Sequence, residues 1–429
     1  MYYRIEGGNE LGGVFTPVGN KNAALPILAA TLLTREPVRI ENVPRITDVE
    51  TLLDLLRSLG VEGGWTAPGV LELDAAGVTP RAIPDADLAG RIRGSVLLAG
   101  PMLARIGSCQ LPHPGGDFIG RRRLDTHMLA LQALGATVDV GDGYLLRAPG
   151  LRGASVFLDE PSVTGTENAV LAAATATGTT ELRNAATEPH VQDLCRFLVT
   201  LGARIDGIGT SRLLIEGVET LGGGTFRIGP DHIEIGSVIG LAAATGSTLR
   251  IAGVDPGHFD PLRVGFRRLG LEFGWRDDQL LVRGGGELEI QPDLGGQIPK
   301  IDDGPWPAFP ADLISIALVA ATQCRGTVLI HEKMFESRMF FVDKVIAMGA
   351  RIVLCDPHRA VVVGPSPLRG ATLESPDIRA GMALLIAALA AEGRSRVHNI
   401  GQIERGYERI HERLASLGAR IERVTTEGA

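Results

Sequence analysis

Six stretches of this chain are apolar on nearly every side at helical length: "NAALPILAATLL", "GSVLLAGPMLA", "NAVLAAATATG", "GSVIGLAAATG", "DLISIALVAAT" and "GMALLIAALAA". A helix without a polar face has to be buried all round, so these predict six interior helices. Each is followed by a short β-rich run, such as "PVRIENV" or "TVLIHEK", and then by an amphipathic helix, clearest in "TDVETLLDLLRSLG". In that helix Thr47 and Glu50 have the spacing of a capping box. The helix stops at a glycine suited to the left-handed position after a C-cap. One or two strands, such as "RLLIEGV" and "RAVVVGP", close the unit, which therefore reads βαβαββ.

The same phrase marks the end of every amphipathic helix. Its glycines are Gly60, Gly135, Gly202, Gly270, Gly349 and Gly418, spaced by 67 to 79 residues, so six repeats span nearly the whole chain. Six buried helices are too many for one core. The expected fold is an α/β, two-domain inside-out α/β barrel, with three repeats per domain and the sheets outside the helices. One domain takes residues 20–230. The other takes 1–19 and 231–429, the first strand pairing with the second half, and the active site lies in the cleft between them.

Polar residues open the interior helices at matching places: Lys21 and Asn22, Arg93, Thr166 and Glu167, Glu234, Asp312, and Arg379. A cation at a helix N-terminus opposes the helix dipole. Three such ends in one repeat pattern point to an anion held among them, against the plainer reading that these side chains merely reach out to solvent.

Composition narrows the class. The chain has 429 residues, 45% apolar and 21% charged, with a net charge of −8, which argues against a general nucleic-acid surface. The N-terminus carries no secretory pattern, and the longest apolar run is about half the length that crosses a bilayer. A cytoplasmic protein without membrane or nucleic-acid partners is expected, and a monomer. Cys109, Cys195, Cys324 and Cys355 are scattered and suit reduced core thiols. The nine histidines form no ligand-spaced pair. "GVFTPVGNKN" lacks the Gly-Lys-Ser/Thr of a phosphate loop, and no G-x-G-x-x-G opens a helix after a strand. Asp302 and Asp303 read as a solvated turn, so no metal is expected.

"PHPGGDFIGRRR", residues 112–123, sets a single acid, Asp117, between two glycines and three arginines. A surface turn would explain it, since Gly and Asp favour turns for backbone reasons. A broader likeness changes that reading. "GNKNAALPILAATLL", "PHPGGDFIGRRRLDTH", "PAFPADL", "FESRMF" and "ERGYERIHERLASLGARIERV" together resemble the enolpyruvyl transferases that act on UDP-N-acetylglucosamine (the UDP-N-acetylglucosamine 1-carboxyvinyltransferase family), from end to end. The resemblance implies the same two-domain barrel, phosphoenolpyruvate as donor, the 3′-hydroxyl of UDP-N-acetylglucosamine as acceptor, release of phosphate, and no cofactor.

Residue by residue, it implies that Lys21, Arg122 and Arg405 hold the phosphate and carboxylate of phosphoenolpyruvate, joined by Arg93 and Arg379. Asn22 and Asp312 would contact the sugar, with Asp312 taking the proton of the attacking hydroxyl. Arg122, Asp125 and His127 fall where the family meets uridine, Ser162 and Val163 near the diphosphate, and Arg338 within a shared motif. Asp117 stands in the mobile loop, 112–122, at the position where the family usually has a cysteine that protonates C3 of the donor and reacts with fosfomycin. An aspartic acid can also supply a proton. The sequence departs from the family's pattern elsewhere: Glu160 in place of a lysine, Thr164 of a glycine, His232 of an arginine, Asn20 of a small residue, and Gln402 of a histidine. These leave open a different nucleotide or nucleotide-sugar acceptor. A non-catalytic nucleotide-sugar sensor is the alternative from another class, although it would have little need of a general base.

Overall fold

The computed structural model describes residues 1–117 and 119–425. The chain divides into two compact units. The first comprises Gly19–Asp117 and Arg122–Gly229; the second comprises Met1–Val18, residues 119–121, and residues 230 to 425.

All six apolar stretches are helical and buried. In the first unit the inner helices are α1 (Lys21–Ala30), α2 (Ala99–Ile106, entered through a 3-10 segment at Arg93–Leu98) and α3 (Val163–Ala173). In the second they are α4 (His232–Thr245), α5 (Ile314–Ala321, preceded by a 3-10 turn at Ala311–Leu313) and α6 (Ile378–Ala390). Every residue of α5 is buried. Close helix contact depends on missing side chains: a Cβ on Gly236 or Gly240 of α4 would lie 2.3 Å from Leu313 Cδ1 or 2.2 Å from Ile316 Cγ2. Such overlaps force neighbouring side chains to shift, so even alanine is destabilising there.

The third repeat displays the predicted unit in full. Strand Ser155–Phe157 leads into α3, then strand Thr179–Arg183, the amphipathic helix Pro189–Thr200, and the hairpin Arg204–Asp206 and Arg212–Glu216. Its sheet pairs 155–157 parallel to 179–183 and the rest antiparallel. Two further sheets complete the first unit and three belong to the second; among the described residues all six are four-stranded except that of Ser108–Pro112, Thr137–Val140 and Gly143–Arg147. Strand Gly224–Arg227 runs parallel to Val38–Glu41, so the end of the first unit completes the sheet of its first repeat. The N-terminal strand Tyr2–Glu6 lies between Arg394–His398 and Arg420–Val424, antiparallel to both. Val14–Phe15 joins Thr248–Ile251. Inward residues of the sheets and the inner helices form one core in each unit.

The repeat glycines end their helices as expected. Gly60, at φ +100°, donates its N–H to Arg57 O, and Val61 donates to Leu56 O, which satisfies two carbonyls that the helix end leaves open. The same double bond recurs at Gly135, Gly202, Gly349 and Gly418.

Three expectations fail. Ile46, not Thr47, is the N-cap of helix Thr47–Ser58, and no side chain caps it. Glu50 is drawn away because its Oε1 accepts from Arg45 Nε at 2.9 Å and Trp65 Nε1 at 3.1 Å. Asp302 and Asp303 are not a solvated turn. Asp303 is fully buried and accepts backbone N–H groups of Lys333 and Met334, while Asp302 pairs with Lys300 and Lys333. Cys355 is exposed on a strand; only the other three cysteines are core thiols.

Candidate active site

In the first unit, Asn20 is the N-cap of α1, its Oδ1 accepting from Asn22 N at 2.8 Å and Ala23 N at 3.3 Å. That cap holds Lys21 at the first helical position, where its ammonium opposes the dipole. The offset comes from a carboxylate: Lys21 Nζ lies 2.7 Å from Asp48 Oδ2, with both side chains less than a tenth exposed. Arg93 is half-buried at the mouth of α2 and donates through Nη2 to Arg122 O at 2.7 Å. Burial, and then the charge of Arg122, bring its pKa down to about 10. These cations are held in place and do not simply trail into solvent.

The two glycines before Asp117 are packed. A Cβ on Gly115 would lie 2.2 Å from Gly90 O, and one on Gly116, at φ +107°, would lie 3.0 Å from Arg93 Cβ. Residues 115 and 116 therefore seat Asp117, itself half-buried, against the stretch that carries Arg93. Arg123 joins Asp125 and Asp159, each at 3.0 Å, so Asp125 is engaged at the surface. Ser162 caps α3 by accepting Gly165 N, and Val163 begins that helix. His127 is fully buried, with Nδ1 2.8 Å from Asn168 Nδ2 and Nε2 2.9 Å from Thr164 Oγ1.

In the second unit the charges converge on Asp312. Its Oδ1 meets Arg338 Nη2 at 3.0 Å and its Oδ2 meets Arg379 Nε at 2.9 Å. Burial works to raise the pKa of Asp312, but the two guanidiniums overrule it and hold the carboxyl well below its usual range. Arg379 is placed by the N-cap of α6, where Asp377 Oδ1 accepts its backbone N–H at 2.8 Å. Its guanidinium lies 5.3 Å over the Tyr407 ring, and that of Arg338 lies 4.8 Å over Phe335. Nε and Nη1 of Arg338 and Nη1 of Arg379 are buried without a hydrogen-bond partner among the described residues. Glu332, fully buried, approaches Arg338 Nε at 3.7 Å, yet burial pushes its pKa up to about 9. Asp377 and Asp231 add their charge to that of Asp312, yet the two arginines keep buried donors that no group among the described residues accepts. That is an anion-seeking arrangement.

Arg405 ends the short helix Gly401–Glu404 and donates to Gln402 Oε1 at 2.9 Å. His232 opens α4 beside Trp306, ring centroids 5.5 Å apart; burial, then His258, bring its pKa to about 3, so no positive charge stands there at neutral pH. Among the described residues no group of three or more His, Cys, Asp or Glu is arranged to hold a metal.

A family model described as EPSP synthase (3-phosphoshikimate 1-carboxyvinyltransferase) matches residues 5–414. UDP-N-acetylglucosamine 1-carboxyvinyltransferase of Bradyrhizobium diazoefficiens is 61% identical over 424 residues, covering 99% of this chain and 98% of the relative. The chain belongs to the UDP-N-acetylglucosamine 1-carboxyvinyltransferase family. The Treponema denticola member is 54% identical, with 98% of each chain covered. Among solved structures, the enolpyruvyl transferase NikO from Streptomyces tendae superposes with a TM-score of 0.86 at 27% identity over 98% of both chains. EPSP synthase from Acinetobacter baumannii, at 17% identity and a TM-score of 0.74, shares the fold.

Of the residues expected from the sequence, the second unit brings Asp312, Arg338 and Arg379 into direct contact, and the first brings Arg93 against the backbone of Arg122. Asp48, Glu332 and Asn168 were not anticipated. Asp48 had a readable signal, an acid in the first turn of an amphipathic helix, but acids there are ordinary for dipole reasons. Nothing in the sequence separates buried Glu332 from its exposed neighbours.

Proposed function

We propose that this chain transfers the enolpyruvyl group of phosphoenolpyruvate to the 3′-hydroxyl of UDP-N-acetylglucosamine and releases phosphate, the first committed step of peptidoglycan synthesis, in the cytoplasm. The observation that carries this reading is 61% identity over 99% of the chain to a relative named for that reaction. The Arg338–Asp312–Arg379 cluster, with both arginines buried and the carboxylate partly open to solvent, is the matching chemistry.

In this mechanism the acceptor oxygen adds to C2 of the donor, Asp312 takes the hydroxyl proton, and Asp117 protonates C3. A tetrahedral ketal results. Loss of a C3 proton and cleavage of the C2–O bond then expel phosphate and restore the double bond. Asp312 is a weak base while two guanidiniums hold it. A trianionic donor drawing on the spare N–H groups of Arg338 and Arg379 would relieve that hold when the proton must move. Lys21, Arg93, Arg122 and Arg405 supply further charge for the donor's phosphate and carboxylate. Asn22, Asp125, His127, Ser162 and Val163 serve the acceptor. An acid at position 117 also removes the thiol that fosfomycin alkylates. Fosfomycin resistance belongs to this reading on that ground: burial pushes the Cys109, Cys195 and Cys324 thiols up to about 12, and exposed Cys355 is the remaining thiol a fosfomycin test has to account for.

A second reading keeps the chemistry and changes the acceptor to another nucleotide or nucleotide sugar. It is favoured by His232, which is neutral against Trp306, and by a half-buried threonine at 164. Phosphate release from phosphoenolpyruvate across a panel of acceptors separates the two. Release that requires UDP-N-acetylglucosamine supports the first, and release only with another acceptor replaces it.

A further inference from the structure

Tyr407 meets Arg379 at the end of a buried chain of hydrogen bonds that runs in one direction. Ser237 of α4 donates its hydroxyl hydrogen to Ile233 O at 2.8 Å, and a carbonyl can only accept. Ser237 Oγ lies 2.9 Å from the Tyr407 hydroxyl, so in this pair the tyrosine has to be the donor. With its one hydrogen spent on Ser237, the Tyr407 oxygen offers only lone pairs to a cation. Arg379 is that cation: its guanidinium carbon lies 5.3 Å from the ring centroid. Tyr407 and Ser237 are both fully buried.

Asp312 holds the Arg379 guanidinium through Nε, at 2.9 Å, and one hydrogen bond leaves a planar group able to pivot. An aromatic ring and an acceptor oxygen beside it remove that freedom. The segment that carries Tyr407 also carries Arg405. Arg405 N donates to Gly401 O at 3.2 Å and Tyr407 N to Ile403 O at 3.0 Å, so both belong to one helical turn. Between them, a Cβ on Gly406 would lie 2.3 Å from Ile378 Cγ2, on the residue before Arg379. The turn is packed directly onto the start of α6.

We infer that Tyr407 is a positioning residue for the reaction: anchored on Ser237, it fixes the Arg379 guanidinium on Asp312 and leaves Nη1 for the anionic donor. Fully buried, Tyr407 acts only through Arg379. The inference rests on the enolpyruvyl-transfer reading, in which Arg379 helps to bind phosphoenolpyruvate.

Tyr407→Phe keeps the ring and removes the hydroxyl. Ser237→Ala keeps the tyrosine and removes its acceptor, which frees the hydroxyl hydrogen to turn toward the guanidinium. Phosphate release by both single variants and the double variant would be measured against each substrate, with the melting temperature alongside. The expected result for Tyr407→Phe is a roughly tenfold higher KM for phosphoenolpyruvate, with that of the acceptor within twofold. Ser237→Ala should raise the same KM, and the double variant should be no worse than Tyr407→Phe, because both changes act through one hydroxyl. Variants that melt earlier with both KM values intact make Tyr407 a packing residue and overturn the inference, as do losses that add in the double variant. If Tyr407→Phe does not fold, Ser237→Ala decides alone, and an unchanged KM for phosphoenolpyruvate overturns the inference. A wild-type chain that releases no phosphate with any acceptor overturns it together with the enolpyruvyl reading. Normal wild-type turnover with unaffected variants overturns the inference alone.

Discussion

Replacing Glu332 with glutamine should stabilise the protein, and more so as pH rises. The carboxyl is fully buried; Oε1 accepts from Phe335 N at 3.1 Å, and among the described residues Oε2 has no hydrogen-bond partner. Burial raises its pKa most, Arg338 opposes the rise, and Asp303 adds to it, leaving a value of about 9 against an ordinary 4.5. A group whose folded pKa is raised contributes its stability fully below the unfolded pKa and loses it as pH climbs toward the folded one. Between pH 5 and 7 the unfolded chain releases this proton while the native chain keeps it, at about 1.4 kcal/mol per unit. The native protein should lose about 2 to 3 kcal/mol from this group over that window. Glutamine keeps the acceptor for Phe335 and places an amide where the bound proton sits, so it removes this dependence. Urea unfolding at pH 5 and pH 7, followed in the transition of the second unit, gives the difference directly. Parallel pH dependence in the two proteins would show that Glu332 is ionised in the native state and that Arg338 is its true counter-ion.

Asp312→Asn should nearly abolish phosphate release, by about 10² to 10⁴ in rate, while UDP-N-acetylglucosamine binding by calorimetry stays within a few-fold; more than a tenth of wild-type turnover removes Asp312 from the role of base. Asp48→Asn removes the carboxylate 2.7 Å from the buried ammonium of Lys21, so unfolding should show a loss of about 3 kcal/mol, and an unchanged melting temperature would mean that other groups carry the counter-charge. The parent enzyme should survive prolonged fosfomycin exposure and Asp117→Cys should lose activity with time, as followed by residual phosphate release; equal inactivation of both would place the target elsewhere.

The fold was legible wherever burial dictates composition. An interior helix such as α5 permits almost no polar residue, and a C′ glycine such as Gly60 has no common substitute at φ +100°, so both leave marks that recur with every repeat. Side-chain partnerships leave no such mark. The capping box at Thr47 and Glu50 was a sound local reading that lost to tertiary context, because Trp65 and Arg45 offered Glu50 stronger partners than its own helix end. Asp302 and Asp303 look alike in sequence, yet one is a surface ion-pair partner and the other is buried under two backbone amides. Only the strand partner and the turn at 333–334 decide which is which.

The site follows the same division between what a residue type reveals and what a partner decides. Cations at the starts of buried helices were a visible anomaly, and an anomaly against the dipole has to be offset by something. The structure shows that protein carboxylates already provide part of the offset: Asp48 for Lys21, and Asp312 for Arg379. This changes what the cations can do. A guanidinium that merely awaited an anion would bind one tightly and hold it. In the proposed reaction, one that must first loosen its grip on Asp312 would exchange one negative partner for another, so binding of the donor and the basicity of Asp312 would be coupled through the same two arginines. Breaking either arginine contact should therefore affect both donor binding and proton transfer, and the two effects should not add as independent losses. Arg338 offers the cleaner case, because its Nε and Nη1 are spare while Nη2 holds the carboxylate. Lysine at 338 could keep one contact or the other but not both.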